Sequence, residues 1–297
     1  MAPSTRKTYQ RAWQLFTQCM LYMNIVFLGF SSLPLSINHI LTFVGFMHLN
    51  GYSPSTMITY VSALGYVHRI SLMIDPTSNT LVQKVLSAAV RLNPRTDPRL
   101  PITQPILFRL SGALNHTTSS PYLRVLFRAM YNVAFYGLMR VAEITQDKFG
   151  VIPLQIGDVK LFRSHIILTI THFKHNANRH PFEIVLCTQP DVNICPVVNL
   201  WSYLKLRGSQ PGPLFCQPNL APIARELFIS QLKINLNFCG LDTKLYLSHS
   251  FRIGGASYYA ELGLNDDQIR SLGRWKGDTF KRYIRCQRLL AAISKSK

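Results

Sequence analysis

The chain has 297 residues, with 32 Lys and Arg against 13 Asp and Glu, so its formal net charge is +19 at pH 7. Hydrophobic residues make up 47% of it, which excludes a disordered basic tail, because such segments lack the apolar residues needed for a core. More than two cations for each anion also argues against an enzyme for acidic substrates whose overall charge has no role. It indicates a folded protein that binds a polyanion, with nucleic acid favoured over a membrane surface.

Both halves of the chain are basic. Residues 1–100 carry eight Lys and Arg against two acids, and residues 101–297 carry 24 against 11. A net charge of about 2–8 keeps a small domain soluble, so solubility alone does not account for the excess. We therefore expect two surfaces that contact a phosphate backbone.

The N-terminal region, residues 1–92, is predicted to be a four-helix domain. Apolar side chains recur at three- and four-residue spacing, and Ser36, Ser53 and Asp75 begin helix-start signals. The predicted helices are Ser4–Phe30, Ser36–Leu49, Pro54–Leu72 and a fourth that runs from Asp75-Pro76-Thr77 to Leu92. Residues 93–101 contain three prolines and are predicted to be an extended basic linker.

Residues 102–297 are predicted to form a second domain that is mostly helical. Helices are expected at Thr103–Leu114 and Pro121–Phe135, and again from Val197 onward, with breaks at Gly208–Pro213, Gly240 and Gly263. Strands are expected at Val151–Val159, His165–Thr171 and Phe182–Leu186. The predicted fold class of the whole chain is mainly α with a small β-sheet.

The cysteines and apolar runs limit the other classes. The six cysteines show no CxxC spacing, so no zinc site is predicted. The N-terminal residues lack the apolar core of a signal peptide, and we expect reduced thiols in an intracellular protein, nuclear if the host is eukaryotic. The most lipid-like stretch, Cys19–Phe30, has 12 residues, whereas a membrane-spanning helix needs about 20. We therefore expect no membrane partner.

Two segments place arginines where they could act on a phosphate. Arg140 follows a glycine break in an apolar stretch, three residues before Glu143. A buried guanidinium needs an anionic partner, and taken alone this segment favours a structural Arg140–Glu143 pair. His249 and Arg252 are three residues apart at a predicted helix start, an arrangement that can bind a phosphate and move a proton. Taken alone, a surface histidine beside a solvated arginine is the commoner explanation.

A third segment places Tyr283 in the second turn of a helix that Asp278 or Thr279 is expected to cap. Its sequence neighbours are cationic: Lys281, Arg282 and Arg285. A phenol titrates at about 10, so a tyrosine nucleophile needs cations and a base to lose its proton. By itself, a tyrosine is more often a packing residue.

Together and in this order, the segments GLMRVAEI (137–144), HSFRIGGA (249–256) and LGRWKGDTFKRYIR (272–285) resemble the tyrosine recombinase (phage integrase) family. The resemblance covers essentially the whole chain, and the third segment is most similar to eukaryotic DIRS-type or Crypton-type mobile-element recombinases. It implies an N-terminal four-helix (SAM-like) core-binding domain joined by the linker to an α+β tyrosine-recombinase catalytic domain. It also implies a site-specific DNA recombinase or integrase that needs no metal or other cofactor and works on double-stranded DNA as a homo-tetramer.

The resemblance implies a role for each matching residue. Arg140 and Arg252 clamp the non-bridging oxygens of the scissile phosphate. Tyr283 attacks the phosphorus, leaving a 3′-phosphotyrosine and a 5′-hydroxyl. The new bond keeps the phosphodiester energy, so a second DNA 5′-hydroxyl can reverse the step. His249 assists proton transfer, and Glu143 orients the arginine or the histidine.

The resemblance also implies a lysine on a β-hairpin between the two arginines, which protonates the leaving 5′-oxygen. Lys174 is the only lysine in the turn between the last two predicted strands and is assigned this role, with His175 and Arg179 as rivals. The residues expected to hold the DNA backbone without reading sequence are Arg6, Lys7, Arg91, Arg95, Arg99, Lys281 and Arg282.

The last two assignments in the site concern an aromatic slot and the nucleophile. Many family members have His or Trp nine residues before the tyrosine, but Trp275 is eight before Tyr283 and Arg274 is nine before it. Trp275 is preferred, because its indole supplies both an N–H for the phosphate and a packing surface. Tyr258 and Tyr259 are the alternative nucleophiles, but they lack cationic neighbours.

Two alternative functions remain open, and so does the role of the C-terminal tail. A type IB topoisomerase-like enzyme would use the same chemistry without exchanging partners, and a DNA-binding protein derived from a recombinase would not cleave at all. The apolar tail around Leu289–Ile293 is expected either to dock onto a neighbouring protomer or to cap its own domain.

Overall fold

The computed structural model describes residues 1, 3–27, 29–93, 97–146, 153–173, 176, 178 and 180–284. The chain divides into two compact units, Met1–Asp97 and Pro98–Lys297, and the division falls inside the predicted linker of residues 93–101. In the described part of the chain, the elements are helices apart from a three-stranded sheet in the second unit. The predicted fold class, mainly α with a small β-sheet, is confirmed.

The described part of the N-terminal unit contains the four α-helices that the sequence predicts. They are α1 (Pro3–Tyr22), α2 (Ile37–Leu49), α3 (Pro54–Ile70) and α4 (Thr80–Leu92). Ser36 and Ser53 cap α2 and α3, because each side chain accepts a backbone N–H from the first turn of its helix. Phe16, Phe43 and Leu64, from the first three helices, are fully buried in a shared core.

Two helix boundaries in this unit differ from the prediction. Helix α1 ends at Tyr22 rather than Phe30, and Asn24, two residues later, has a left-handed backbone with φ 53°. Asparagine is one of the few non-glycine residues that accept this conformation, which ends a helix. Helix α4 begins at Thr80, because the predicted start signal at Asp75 forms a separate short 3₁₀ turn.

The second unit contains seven α-helices and three strands within its described residues. The helices are α5 (Gln104–Thr117), α6 (Pro121–Tyr136), α7 (Val141–Ile144), α8 (Pro196–Arg207), α9 (Arg225–Phe238), α10 (Ser250–Glu261) and α11 (Asp266–Leu272). The strands are β1 (Val159–Leu161), β2 (His165–Ile170) and β3 (Phe182–Cys187), in the spatial order β1-β2-β3. Both pairings are antiparallel, and His165 pairs with Cys187 at one end of the β2–β3 hairpin.

The predicted strand Val151–Val159 is wrong. Strand β1 begins only at Val159, and Ile156–Asp158 forms a 3₁₀ turn in which the Asp158 carboxylate accepts the backbone N–H of Gln155. Residues 151 and 152 lie outside the described ones. A short apolar run cannot be assigned to a strand from its pattern alone, because strand pairing depends on a partner elsewhere in the fold.

Helix α10 packs closely against the end of α6, and this contact fixes where the functional residues lie. The Phe251 ring of α10 stacks on Tyr131 of α6 with 5.2 Å between the centroids. A Cβ on Gly254 would lie 1.8 Å from the Ile102 carbonyl oxygen, and one on Gly255 would lie 2.2 Å from the Phe135 carbonyl oxygen. Glycine is therefore required at both positions, and this part of α10 lies directly against Ile102 and the last turn of α6.

The described residues contain neither a candidate membrane span nor a candidate metal cluster. No helix there is long and apolar enough to cross a bilayer. No group of three or more His, Cys, Asp or Glu side chains there is arranged to hold a metal ion.

Candidate active site

The three sequence segments meet in the second unit. Arg140 lies just before α7, His249 lies just before α10, and Tyr283 directly follows the 3₁₀ helix Asp278–Arg282. The predicted helix with Tyr283 in its second turn is wrong, because only this short 3₁₀ segment forms. Its expected cap is engaged elsewhere, since the Asp278 carboxylate accepts a hydrogen bond from Arg270 at 3.2 Å.

Tyr283 and His249 share a hydrogen bond. The distance from His249 Nε2 to the Tyr283 phenol oxygen is 2.9 Å, and the two ring centroids are 5.1 Å apart. The backbone carbonyl of Tyr283 accepts a further hydrogen bond from Ser257 Oγ at 3.1 Å, which ties the tyrosine to α10. A tyrosine within hydrogen-bond reach of an imidazole has the geometry of a nucleophile with a proton-transfer partner.

Trp275 lies between Tyr283 and Arg252. Its ring stacks on the Tyr283 ring with centroids 5.5 Å apart and an interplanar angle of 27°. The Arg252 guanidinium carbon lies 4.1 Å from the Trp275 ring centroid, a cation–π contact. A Cβ on Gly273 would lie 1.6 Å from the Trp275 ring, so glycine leaves the space the ring occupies. The predicted indole–phosphate contact stays a prediction.

Arg252 is the most deeply buried of the predicted phosphate ligands, with 1% of its surface exposed. It donates hydrogen bonds to the backbone carbonyls of Leu138 and Gly273. Burial first, and then the guanidinium groups of Arg140 and Arg274, lower the pKa of Arg252 to about 8, against the opposing effect of Glu143. The side chain is a cation at pH 7, as guanidinium groups in proteins are.

Arg140 and Glu143 form the ion pair that the first segment favours. Arg140 Nη1 lies 2.9 Å from Glu143 Oε1, and the Arg140 backbone N–H donates to Oε2 at 2.8 Å. The Glu143 side chain is 3% exposed, whereas that of Arg140 is 21% exposed. Arg140 thus has solvent access for an anionic ligand while its partner carboxylate is buried behind it.

Arg274 makes contacts that the sequence does not indicate. The sequence pattern offers it only as an alternative to Trp275 for the His or Trp position of the family. Its Nη2 atom lies 3.0 Å from Glu143 Oε2 and 3.0 Å from the Leu138 carbonyl oxygen. Burial lowers its pKa, and Glu143 partly offsets this effect. The described part of the site therefore holds three guanidinium groups against the carboxylate of Glu143, an excess of positive charge.

The other predicted residues fall into three groups. The first group lies outside the described residues and comprises Lys174, His175, Arg179, Arg285, Arg95 and the tail at Leu289–Ile293. Arg6 and Lys7 on α1, Arg91 on α4, and Lys281 and Arg282 in the 3₁₀ segment are exposed, and Arg99 is half-buried. Lys281 makes an ion pair with Asp266 at 3.3 Å.

The alternative nucleophiles are used in packing. The Tyr258 hydroxyl donates to the Gln189 side chain at 3.1 Å, and the Tyr259 hydroxyl donates to the Tyr136 carbonyl at 2.8 Å. Burial raises the pKa of both phenols, so both are poorer nucleophiles than free tyrosine.

Comparison with known proteins identifies a relative by sequence and several solved structures with a similar fold. No protein-family model matches the chain. The integrase/recombinase xerD homolog of Selenomonas ruminantium is 24% identical over 294 residues, which cover 95% of this chain and 82% of the relative.

Solved structures match over nearly all of the chain. A λ integrase dimer bound to a COC′ core site has a TM-score of 0.63 at 15% identity, covering 97% of this chain and 73% of that one. The post-cleavage complex of the XerH site-specific recombinase with palindromic difH has a TM-score of 0.62 at 15% identity, covering 95% and 75%. A λ integrase tetramer on a Holliday junction has a TM-score of 0.62 at 14% identity, covering 96% and 72%. The fold of this chain is therefore that of the tyrosine recombinases.

Proposed function

We propose that the protein is a site-specific DNA recombinase or integrase that cuts and rejoins strands through a covalent bond to Tyr283. The observation that carries this proposal is the 2.9 Å hydrogen bond between Tyr283 and His249, next to the buried cation of Arg252. The proposal is also supported by the similarity of the chain to the xerD homolog and to the integrase and recombinase structures that share its fold.

In the proposed reaction, His249 assists removal of the phenol proton and the Tyr283 oxygen attacks the scissile phosphorus. The bond from phosphorus to the 5′-oxygen breaks, and its electron pair goes to that oxygen, which takes a proton from Lys174, the assigned general acid. Arg140 and Arg252 stabilise the charge on the non-bridging oxygens in the pentacoordinate transition state. A 5′-hydroxyl from another strand then reverses these steps and joins a new partner.

The energy of this exchange comes from the substrate itself. A phosphodiester is replaced by a phosphotyrosine ester of similar energy, so the proposed reaction calls for no nucleotide, metal or other cofactor. The excess of positive charge among Arg140, Arg252 and Arg274 suits an anionic phosphate rather than a neutral substrate.

The binding partner in this proposal is double-stranded DNA. The net charge of +19 supports it, with exposed Arg6, Lys7, Arg91 and Arg282 as backbone contacts. We propose a homo-tetramer on DNA, supported by the λ integrase tetramer that shares the fold. We also propose an intracellular enzyme of a DIRS-type or Crypton-type mobile element, nuclear in a eukaryotic host, supported by the wording of residues 272–285.

The decisive experiment is a covalent trap on a nicked duplex. The cognate site is first selected from random duplexes with the Tyr283→Phe variant, which keeps the DNA-binding surfaces. A nick close to the scissile phosphate then lets the cleaved fragment diffuse away and leaves the protein attached to the 3′ end. We expect an adduct with the unchanged protein and with Tyr258→Phe, and none with Tyr283→Phe.

The other results separate the alternatives. An adduct that persists in Tyr283→Phe overturns the nucleophile assignment. Tight binding without any adduct supports the non-catalytic DNA-binding protein. Relaxation of supercoiled plasmid without exchange between two labelled cognate duplexes supports the topoisomerase-like enzyme.

A further inference from the structure

Arg274 contacts the groups that hold the two arginines proposed to bind the phosphate. Its side chain is 1% exposed and forms an ion pair with Glu143, which also pairs with Arg140. We propose that Arg274 is a positioning residue that fixes Arg140 and Arg252 for the scissile phosphate, through the Glu143 carboxylate and the Leu138 carbonyl. This inference rests on the proposed function.

The first shared group is the Glu143 carboxylate. Its Oε1 atom accepts from Arg140 Nη1 at 2.9 Å, and its Oε2 atom accepts from Arg274 Nη2 at 3.0 Å. A buried carboxylate is oriented by the hydrogen bonds it accepts. Without Arg274, Oε2 keeps only the bond from the Arg140 backbone N–H at 2.8 Å. The carboxylate is then less firmly oriented, and so is the Arg140 side chain that it holds.

The second shared group is the Leu138 backbone carbonyl. It accepts from Arg252 Nη1 and from Arg274 Nη2. Leu138 and Arg274 both have left-handed backbones, with φ of 46° and 55°, although neither is glycine. Such conformations are strained and persist where the surroundings over-determine them, often at functional sites. The two residues with this strained backbone, Leu138 and Arg274, are therefore the acceptor and the donor of one hydrogen bond.

The donors of Arg274 are directed at protein groups. Its Nη2 atom donates to Glu143 and to Leu138, and its Nη1 atom donates to the Leu272 carbonyl at 3.3 Å. Its guanidinium also contacts the rings of Phe173 and Phe182, whose centroids lie 6.0 and 5.7 Å away. We therefore assign its effect on the reaction to Glu143 and Leu138.

The test compares two scissile groups, using the full-length protein and the selected nicked duplex. One duplex carries the natural phosphodiester, and the other carries a methylphosphonate, which has no negative charge for an arginine to neutralise. We expect Arg274→Gln to slow single-turnover adduct formation about 10- to 100-fold on the phosphodiester, as loss of a supporting contact does elsewhere. On the methylphosphonate we expect a much smaller penalty, the same pattern as for Arg140→Ala and Arg252→Ala.

Arg207 provides a matched control for burial. Counted over the whole residue, Arg207 and Arg274 are both 6% exposed, and Arg207 donates to the backbone carbonyls of Gly208, Gln210 and Pro213. Arg207→Gln should therefore affect both substrates equally, to the extent that it lowers the folded fraction. Arg274→Lys is the second variant if Arg274→Gln fails to fold, because it keeps the charge beside Glu143 but lacks the planar guanidinium that also reaches the Leu272 carbonyl.

The results separate this inference from the proposed function. An Arg274 variant that loses the same factor on both substrates, or none on either, refutes the positioning role alone. Absence of any adduct with the unchanged protein on the phosphodiester refutes the proposed function, and the positioning role with it. A penalty confined to the phosphodiester supports both.

Discussion

The space left by Gly273 permits a sharp test of how the site is assembled. Gly273 has φ −83°, which any residue accepts, so Gly273→Ala introduces no backbone strain. The new Cβ would, however, lie 1.6, 2.0 and 2.3 Å from three atoms of the Trp275 ring. The effect of this substitution must therefore come from moving that ring.

The size of the effect follows from these distances. Carbon atoms in contact lie about 3.5–4.0 Å apart, so the ring has to shift by about 2 Å. That shift separates Trp275 from Tyr283, on which it stacks, and from the Arg252 guanidinium at 4.1 Å. Because a misplacement of about 1 Å can cost about 100-fold in rate, we expect adduct formation to slow by at least about that factor. DNA affinity, which depends mainly on surface cations, should hardly change.

The assay is single-turnover adduct formation on the nicked duplex, with affinity measured separately by fluorescence anisotropy. Gly277→Ala is the matched control, because nothing lies within 4 Å of its added Cβ and Gly277 has a φ of −152°. In the Trp275→Ala background the clash is absent, so Gly273→Ala should cost little more. If Gly273→Ala slowed the reaction as much in that background as in the unchanged protein, the reasoning would be refuted.

Three further predictions concern other parts of the molecule. His249→Ala removes the group 2.9 Å from the phenol and should slow adduct formation by about 100- to 10,000-fold in the same assay; an unchanged rate would contradict the proton-transfer role. Arg6→Gln with Lys7→Gln should reduce the slope of log affinity against log salt by about 2 in anisotropy titrations and leave the rate at saturating DNA unchanged. An unaltered slope would show that α1 does not contact the backbone. Ser53→Ala removes the α3 cap and should destabilise the N-terminal unit by about 1 kcal/mol in urea unfolding, with Ser55→Ala as the comparison.

The residues that carry the chemistry could be found from the sequence because each lies in a short segment with its own local logic. Arg140 and Arg252 stand out as charges within apolar surroundings, and the spacing of His249 and Arg252 places them at one helix start. The structure brings these residues and Tyr283 together because α10 packs onto α6 through glycines that the sequence also shows. Local sequence patterns were therefore sufficient to identify these residues as candidates.

What the sequence could not predict depends on contacts between distant segments. Asp278 has the right identity for a helix cap, but Arg270 binds its carboxylate and only a 3₁₀ segment forms. The left-handed backbones of Leu138 and Arg274 have no local signal, because neither residue favours that conformation by itself. For the same reason, the contacts of Arg274 with Glu143 became visible only in the fold.

The three guanidinium groups around Glu143 also set a limit on how stable the free protein can be. Arg140 and Arg274 each disfavour the charged form of Arg252, so the unliganded site contains unrelieved repulsion. A bound phosphate supplies the missing negative charge, and DNA binding and folding stability are therefore linked quantities. The charges of this site are therefore arranged for the phosphate-bound state, and in the free protein the same arrangement is a cost in stability that comes with the function.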